Sequence, residues 1–319
     1  MKILIILPNW LGDAIMATPA IEALVKRYPD AELTFIGSYV SIEALKHHPN
    51  CVAAHVDETK KAKSRLRATF QLARSLGRFD LSITFRKNIY ATLLLCFTTS
   101  PKRIGRSTWY NNFLLTQSQP FLSGVHLVKN YASFTTDQTE FDPLRLYIPK
   151  KSFNKPTLGI NPGATYGSAK RWYPEKFAQV AKVLSGRFDI IIFGGPTEVD
   201  MGEAIAKDLD ELGVTNYQNL AGKTSVQELC ASIGGCELFI TNDSGPMHIA
   251  AAYQVPTVAI FGPTNHTETS QWANEKSTMV RLDMPCAPCM KRSCPLKHHE
   301  CMKNITANMV INAAEALLD

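Results

Sequence analysis

Short apolar runs alternate with longer amphipathic stretches along most of the chain. Runs of about five or six largely apolar residues predict strands that are buried on both faces of a sheet. Stretches of about ten residues or more, with apolar positions three or four apart, predict helices. Strands and helices that alternate in this way are typical of parallel βαβ units. The predicted strands span residues 2–7, 32–37, 51–56 and 80–85 in the first half, and 157–161, 189–193, 237–241 and 257–261 in the second.

The predicted helices fill the intervals between these strands and close the chain. Pro19 falls early in the first helix, where it either kinks the helix or stands in the first turn of a helix capped by Thr18. The predicted helices span residues 14–28, 41–48, 59–76, 174–184, 199–212, 226–233, 246–253 and 306–318.

A Pro-rich and basic segment, residues 141–155, separates the two series of strands. A chain of 319 residues is long enough for two domains with separate cores. The sequence therefore predicts an α/β protein with two domains, residues 1–150 and 151–319, each built on an open parallel sheet. No apolar run approaches the ~20 residues of a membrane-spanning helix, and the first run ends at Pro8, too early for a secretory signal. We therefore expect a cytoplasmic protein with reduced cysteines.

The positive charge is concentrated in the first half of the chain. Residues 1–150 hold 19 Lys and Arg against 11 Asp and Glu, whereas residues 151–319 hold 15 against 17. The asymmetry indicates an anionic partner for the first domain: a nucleic acid, an anionic membrane or a phosphorylated substrate. The alternative is a basic face that is only solvated. No nucleic-acid-binding motif accompanies the charge, so we expect no nucleic acid as a partner.

Four loops that follow predicted strands hold residues suited to a ligand, which open parallel sheets bind at the carboxyl ends of their strands. In the first loop, residues 8–13, Gly12 permits close approach of the backbone, and Asp13 stands at the start of a helix. Asp13 is either the N-cap of that helix or a carboxylate that acts as a general base.

The second loop, residues 161–172, is rich in Gly and hydroxyl residues and then dibasic, with Lys170 and Arg171. Backbone amides, hydroxyls and a cation together form a cradle for phosphate. The loop lacks the Walker A pattern, and neither half has Gly-x-Gly-x-x-Gly after its first strand. These absences disfavour a P-loop ATPase and a dehydrogenase.

The third and fourth loops add an acidic residue and a further helix start. Glu198, in the loop 193–198, can accept hydrogen bonds from ribose hydroxyls or simply stand in the first turn of a helix. The fourth loop, residues 241–248, offers amides and hydroxyls at a helix N-terminus, which suit an anion, and His248 follows one turn later.

Taken in order, these loops resemble those of the heptosyltransferases, glycosyltransferase family nine. The resemblance covers essentially the whole chain and is strongest in segments 8–19, 161–164, 170–174 and 242–248. These read Pro-Asn-Trp-Leu-Gly-Asp-Ala-Ile-Met-Ala-Thr-Pro, Asn-Pro-Gly-Ala, Lys-Arg-Trp-Tyr-Pro and Asn-Asp-Ser-Gly-Pro-Met-His. The Cys-rich segment 286–302 is similar to that of the heptosyltransferase II branch.

The resemblance implies a GT-B fold, in which two Rossmann-like domains face each other across a cleft. It implies an inverting, metal-independent transfer of heptose from ADP-heptose, with no cofactor required. The donor is expected in the C-terminal domain. The acceptor, the heptose of a phosphorylated lipid A–Kdo inner core, is expected in the N-terminal domain, with peripheral contact at the cytoplasmic face of the inner membrane.

The resemblance also implies roles for individual residues. Asp13 matches the general base, and Lys170 matches the cation on the departing diphosphate. The implied donor contacts are Gly12, Gly163, Thr165, Tyr166, Lys170, Glu198, Thr224, Asp243, Ser244, Gly245 and His248. Four cations placed after the fourth and a fifth strand are expected on the acceptor side: Arg86, Lys87, Arg103 and Arg106.

Four clustered cysteines leave a metal site open. Cys286, Cys289, Cys294 and Cys301, with two histidines between them, supply enough ligands for a structural Zn²⁺. The spacing after the initial Cys-x-x-Cys is not that of a common zinc finger. The alternative is a reduced loop that shapes the cleft or a membrane-facing surface.

Two rival functions remain at this point. One is another family-nine transferase, heptosyltransferase I or an enzyme for a different sugar. The other is a zinc-containing nucleotide-binding protein without catalysis, which has no need of a carboxylate at position 13.

Overall fold

The computed structural model of the chain describes residues 1–138 and 140–318. The chain divides into two compact units, Met1–Tyr147 and Ile148–Asp319. The division falls inside the Pro-rich segment 141–155, and each unit is built on a six-stranded parallel sheet.

The N-terminal unit alternates strands and helices along its whole length. Its strands are β1 (Lys2–Ile6), β2 (Glu32–Gly37), β3 (Cys51–Val56), β4 (Leu81–Thr84), β5 (Lys102–Arg106) and β6 (Gln117–Gln119). Its helices are α1 (Leu11–Met16), α2 (Thr18–Arg27), α3 (Tyr39–Leu45), α4 (Arg65–Leu76), α5 (Ile89–Phe97) and α6 (Leu127–Ala132), with a 3₁₀ turn at Thr59–Lys61. The sheet order is β3-β2-β1-β4-β5-β6.

The C-terminal unit repeats this plan. Its strands are β7 (Thr157–Asn161), β8 (Asp189–Ile192), β9 (Tyr217–Asn219), β10 (Leu238–Asn242), β11 (Thr257–Ile260) and β12 (Ser277–Val280). Its helices are α7 (Pro174–Leu184), α8 (Val199–Glu211), α9 (Val226–Gly234), α10 (Gly245–Ala252), α11 (His266–Thr269), α12 (Glu300–Lys303) and α13 (Ala307–Leu318), with 3₁₀ turns at Ser168–Lys170 and Pro196–Glu198. The sheet order is β12-β11-β10-β7-β8-β9.

Both sheets therefore have the same topology. Counted within its own unit, each follows the order 3-2-1-4-5-6 of the Rossmann fold. The chain reverses its direction of winding between β1 and β4 in the first sheet, and between β7 and β10 in the second. Ligands of such sheets bind at this switch point, outside the carboxyl ends of the two strands.

The cores explain why these runs form strands. Ile3 to Ile6 of β1 are at most 1% exposed, since helices cover both faces of a parallel sheet. In the C-terminal unit the buried Trp172 packs edge-on against Phe177, with ring centroids 4.9 Å apart. Its indole N–H donates to the Ile305 carbonyl at 3.1 Å, which fixes the chain just after the loop 161–172.

The predicted first helix is in fact two helices. The break falls at Ala17, which is both the C-cap of α1 and the N-cap of α2. Pro19 stands in the first turn of α2, so the interpretation as a first-turn proline is confirmed. Thr18 is not the cap, because its hydroxyl donates back to the Ile15 carbonyl at 2.7 Å.

Several elements have no counterpart in the predicted pattern, chiefly β6, β9, β12, α5 and α6. The strands β6 and β9 contain only three residues each and are partly exposed, so they do not form an apolar run. Across the described residues, none of the helices combines the length and hydrophobicity needed to cross a bilayer.

Candidate active site

Asp13 lies just beyond the carboxyl end of β1, at the switch point of the N-terminal sheet. The N-cap of α1 is Trp10, and Asp13 stands in the first turn, so the interpretation of Asp13 as an N-cap is wrong. Its Oδ1 accepts a hydrogen bond from the hydroxyl of Tyr131 in α6 at 2.9 Å. The carboxylate is thus half-buried and oriented by a phenol from a distant part of the chain.

Tyr131 is built into an aromatic cluster that holds its hydroxyl in place. The side chain is 4% exposed and packs edge-on against Phe85 and Phe121, with ring centroids 5.4 and 5.6 Å away. Burial, and then the charge of Asp13, raise the pKa of Tyr131 well above its ordinary value. The phenol is therefore protonated at neutral pH, where it donates to the carboxylate.

Two of the predicted acceptor-side cations lie at the carboxyl edge of this sheet. Arg106 ends β5, and its guanidinium lies 4.2 Å from the ring centroid of Phe121, next to Tyr131. Lys87 is exposed after β4. The structure thus brings Arg106 into the neighbourhood of Asp13, and contact with an acceptor stays a prediction for both cations.

Arg86 is buried, and its guanidinium is bound by other groups of the protein. Its Nη1 lies 2.6 Å from Asp57 Oδ2, and its Nε donates to the Leu7 carbonyl at 2.6 Å. Burial lowers the pKa of Arg86, against the charge of Asp57. Burial tends to raise the pKa of Asp57, but hydrogen bonds from Thr59 and the charge of Arg86 lower it overall. The geometry makes Arg86 a support for the chain that leads into the Asp13 loop.

Arg103 was expected to follow the fifth strand, but it is instead the second residue of β5. It pairs in register with Ser82, which in turn pairs with Leu4, so it lies toward the amino ends of the strands. Its guanidinium donates to the carbonyls of Ser100 and Leu114 at 2.7 and 2.9 Å. Arg103 therefore braces the loops at its end of the sheet, away from Asp13.

In the C-terminal unit, the switch point brings together a buried ion pair. Lys170 Nζ lies 2.6 Å from Asp243 Oδ2, and the two side chains are 11% and 4% exposed. Lys170 also donates to the Asp243 carbonyl at 3.1 Å, and the Thr264 hydroxyl donates to the same Oδ2 at 2.6 Å. Tyr166 stacks near the ammonium, with its ring centroid 4.9 Å from Nζ.

Gly163 and Glu198 form the floor beneath this loop. Glu198 is buried, and its Oε2 accepts from the Gly195 amide at 2.8 Å. A Cβ atom at position 163 would overlap the Glu198 carboxylate, so only glycine allows the two loops to pack this closely. Of its two predicted roles, Glu198 fulfils the structural one here, and a ribose contact stays a prediction.

Gly12, a predicted donor contact, is buried in α1 of the N-terminal unit, beside Asp13. The other donor-side residues surround the same edge of the C-terminal sheet. Asn242 ties the second loop to β10, because its amide donates to the Pro162 carbonyl at 2.6 Å and its Oδ1 accepts from the Trp172 amide at 3.1 Å. Ser244 is the N-cap of α10, which begins at Gly245. Thr165 is exposed, Thr224 is half-buried just before α9, and His248 is buried within α10.

The sequence did not reveal Tyr131, Asp57 or Thr264 as parts of the site. Each acts through a contact with a residue that is distant along the chain or belongs to another loop. Tyr131 lies in a short helix that the hydrophobic pattern did not predict.

The cysteine cluster is not assembled as a metal site. Within residues 1–138 and 140–318, no three His, Cys, Asp or Glu side chains lie close enough together to hold a metal ion. All four thiols are free, and burial, with the nearby charges of Cys286, Cys289 and Cys294, raises the pKa of Cys301 to about 11. Of the two alternatives that the sequence leaves open, the described residues show free thiols and no zinc-ligand geometry, and a bound Zn²⁺ stays a prediction.

Comparison with known proteins gives a family match and relatives that align over the full chain. The profile of "Glycosyltransferase family 9 (heptosyltransferase)" matches residues 69–300. Lipooligosaccharide heptosyltransferase 2 of Campylobacter jejuni is 40% identical over 326 aligned residues, which cover 100% of this chain and 98% of that protein. Lipopolysaccharide heptosyltransferase 2 of Escherichia coli K12 is 26% identical and covers 100% and 99%.

Solved structures agree with the fold. The E. coli ADP-heptose LPS heptosyltransferase II superposes with a TM-score of 0.85 at 24% identity, covering 100% of this chain and 98% of that one. A family 9 glycosyltransferase from Veillonella parvula superposes with a TM-score of 0.83 at 23% identity, covering 99% and 97%. These likenesses confirm the predicted GT-B-like architecture of two parallel sheets.

Proposed function

The chain belongs to glycosyltransferase family 9, the heptosyltransferases, and from this membership we propose that it transfers heptose from ADP-heptose to the heptose of a lipid A–Kdo inner core. The full-length 40% identity to a lipooligosaccharide heptosyltransferase 2 carries this proposal. The enzyme works in lipopolysaccharide or lipooligosaccharide synthesis.

The carboxylate of Asp13 is the general base of this reaction. It takes the proton of the acceptor hydroxyl while that oxygen attacks the anomeric carbon of the donor. The bond from that carbon to the diphosphate oxygen breaks on the opposite face, so the configuration inverts and ADP leaves with the electron pair. The position of Asp13 at the switch point, and its hydrogen bond from Tyr131, support this role.

The C-terminal unit stabilises the negative charge that develops on ADP. The ammonium of Lys170 and the N-terminus of α10 lie at one sheet edge, where they provide positive charge without reorganisation. We therefore assign the role that a divalent cation has in other transferases to Lys170, and no metal or cofactor is required.

The N-terminal unit binds the acceptor. A lipid A–core molecule carries phosphates and keto-acid carboxylates, which match the excess of Lys and Arg in residues 1–150. Because this acceptor is anchored in a bilayer, the enzyme works as a cytoplasmic protein in peripheral contact with the inner membrane.

The test is ADP release by the purified protein in a buffer that contains EDTA. We expect turnover with an acceptor that ends in a first heptose, and none with an acceptor that ends in Kdo. Asp13→Asn should lower the rate by roughly 10²–10⁴-fold, while calorimetry shows ADP binding near that of the wild type. The exposed Asp30→Asn is the matched control.

Each arm can contradict a part of the proposal. Normal turnover by Asp13→Asn removes this residue from the chemistry. Turnover only with the Kdo-terminated acceptor identifies a heptosyltransferase I instead, and activity only with added Mg²⁺ refutes the role given to Lys170. ADP binding without release, whatever the acceptor, favours a non-catalytic protein.

A further inference from the structure

Two aromatic side chains project from the loop after β5. Trp109 is 90% exposed and Phe113 is 77% exposed, although aromatic side chains of this size are normally buried. Trp109 packs edge-on against Tyr110, with ring centroids 5.3 Å apart. Single exposed apolar residues are common, but two large rings within one short loop leave a considerable apolar surface in water.

The neighbouring helix α4 adds further exposed apolar surface. Leu66 and Phe70, one turn apart, are 52% and 47% exposed. We call the exposed side chains of α4 and of the loop 107–116 the apolar–basic face.

The two parts of this face are joined through α5. The Arg65 guanidinium of α4 lies 4.2 Å from the ring centroid of Tyr90, and Phe70 packs edge-on against Phe97, with centroids 5.3 Å apart. These contacts fix α4 along one side of α5.

The loop lies along α5 as well. Tyr110 donates to the carbonyl of Lys87, just before α5, at 3.0 Å, and Cys96 of α5 donates to the Leu114 carbonyl at 3.5 Å. Both parts of the apolar–basic face therefore pack along the same helix of the N-terminal unit.

The segment of the chain that carries this face is rich in positive charge. Residues 60–119 contain 12 Lys and Arg and a single acidic residue, Asp80. Asp80 precedes β4 and accepts from the Lys2 amide at 2.8 Å, so it lies at the amino ends of the strands. The cations that are exposed at or near the start of α4 are Lys60, Lys61, Lys63 and Arg67, of which Lys61 pairs with Glu58.

We propose that the apolar–basic face docks the enzyme on an anionic lipid bilayer, with Trp109 and Phe113 inserted at the level of the headgroups. Aromatic rings prefer the membrane interface, and Lys and Arg are attracted to anionic lipid, so the two properties of this face complement the same partner. The inference rests on the proposed function, because a lipid-anchored acceptor is what brings the enzyme to a membrane.

The experiment is co-sedimentation of the full chain with vesicles of phosphatidylethanolamine and phosphatidylglycerol at 3:1, and with vesicles of phosphatidylcholine alone. We expect binding to the anionic vesicles that weakens with salt. Trp109→Ala/Phe113→Ala should lower the partition coefficient by about tenfold or more. Lys60→Glu/Lys63→Glu should remove the preference for anionic lipid.

The matched control is Val183→Ala/Leu212→Ala, which removes exposed apolar side chains of the C-terminal unit and should bind like the wild type. Turnover of a soluble, deacylated acceptor separates docking from catalysis. The Trp109→Ala/Phe113→Ala variant should keep the wild-type rate with this acceptor, because neither ring belongs to the site described above.

The docking surface is refuted if the wild type does not bind anionic vesicles, or if the Trp109→Ala/Phe113→Ala variant binds them as well as the wild type does. It is also refuted if the wild type self-associates with rising concentration but does not bind vesicles, and the variant no longer self-associates. The last result identifies a protein interface instead. Vesicle binding that depends on the two rings, without any ADP release, upholds the face and contradicts the proposed function.

Discussion

Replacing Tyr131 by phenylalanine removes a single oxygen atom from the candidate site. That atom donates to Asp13 Oδ1 at 2.9 Å, and the ring that carries it packs edge-on against Phe85 and Phe121. The phenylalanine ring keeps both aromatic contacts. The variant therefore tests the hydrogen bond to the base rather than the packing around it.

The expected size follows from the charge on the acceptor of this bond. A hydrogen bond to a charged group contributes about 1.5–3 kcal/mol, and about 1.4 kcal/mol corresponds to one pKa unit. Because the phenol donates to the carboxylate, it favours the deprotonated form of Asp13, and its loss favours the protonated form. The acid limb of the pH–rate profile should move about one to two pH units upward.

The assay is initial ADP release from about pH 3.5 to pH 9, a range that includes the ordinary titration of an aspartate, at donor concentrations well below KM. Above the acid limb the variant should lose less activity than Asp13→Asn, since the base is present but less firmly oriented. Thermal unfolding checks that the fold persists. Tyr217→Phe is the matched control, because its hydroxyl donates to Asp210 at 2.7 Å on the surface of the other unit.

Two outcomes would refute this reasoning. If activity falls while the acid limb stays in place, Tyr131 contributes packing and not the electrostatic environment of the base. If the profile of the variant coincides with that of the wild type, the Asp13–Tyr131 contact has no part in proton transfer.

Two further predictions concern the ion pairs. Lys170→Ala should raise the donor KM about tenfold or more, because a charge-assisted contact to the diphosphate is lost; an unchanged donor KM contradicts the assignment. Asp57→Asn should lower the free energy of unfolding at pH 7 by about 3 kcal/mol, because Arg86 is left buried without its partner. The pKa of Asp57 is lowered by folding, so its contribution is present above the unfolded value of about 4 and disappears as the pH falls through the folded value. Urea unfolding from pH 7 to pH 3 should therefore show a smaller fall in stability for Asp57→Asn than for the wild type, whereas the exposed Glu58→Gln should match the wild type. If the free energies of unfolding of Asp57→Asn and the wild type fall in parallel with pH, the Asp57–Arg86 pair does not contribute to the loss of stability in acid.

Strands that are covered on both faces of a sheet could be predicted best from the sequence. The bounds of β2 and β7 agree with the predicted ranges, because such strands need apolar residues at nearly every position. The bounds of β3 agree as well, although it is an edge strand in which no residue is buried. The strands β6 and β9 lie at the edges of their sheets and contain three residues each, so no apolar run distinguishes them from loops.

Only those site residues that lie in loops directly after predicted strands could be predicted from the sequence. Asp13 and the loop 161–172 come directly after strands, and topology places such loops at a ligand edge. Tyr131 lies 118 residues from Asp13 and reaches it only through tertiary packing. Arg86 and Arg103 have the same charge as Lys87, and nothing in the local sequence distinguishes a cation that is bound by the protein from one that is exposed to solvent.

In the reaction proposed above, the pairing of Lys170 with Asp243 determines the state of the ammonium before the donor binds and after ADP leaves. A lone desolvated cation in an empty pocket is costly, but this one already has an anionic neighbour. We therefore expect a bound nucleotide to share the ammonium with Asp243, and the Asp243 carboxylate to pair with it alone again once ADP has left. In this reaction the Asp243 carboxylate competes with ADP for the ammonium of Lys170, and this competition favours the release of ADP.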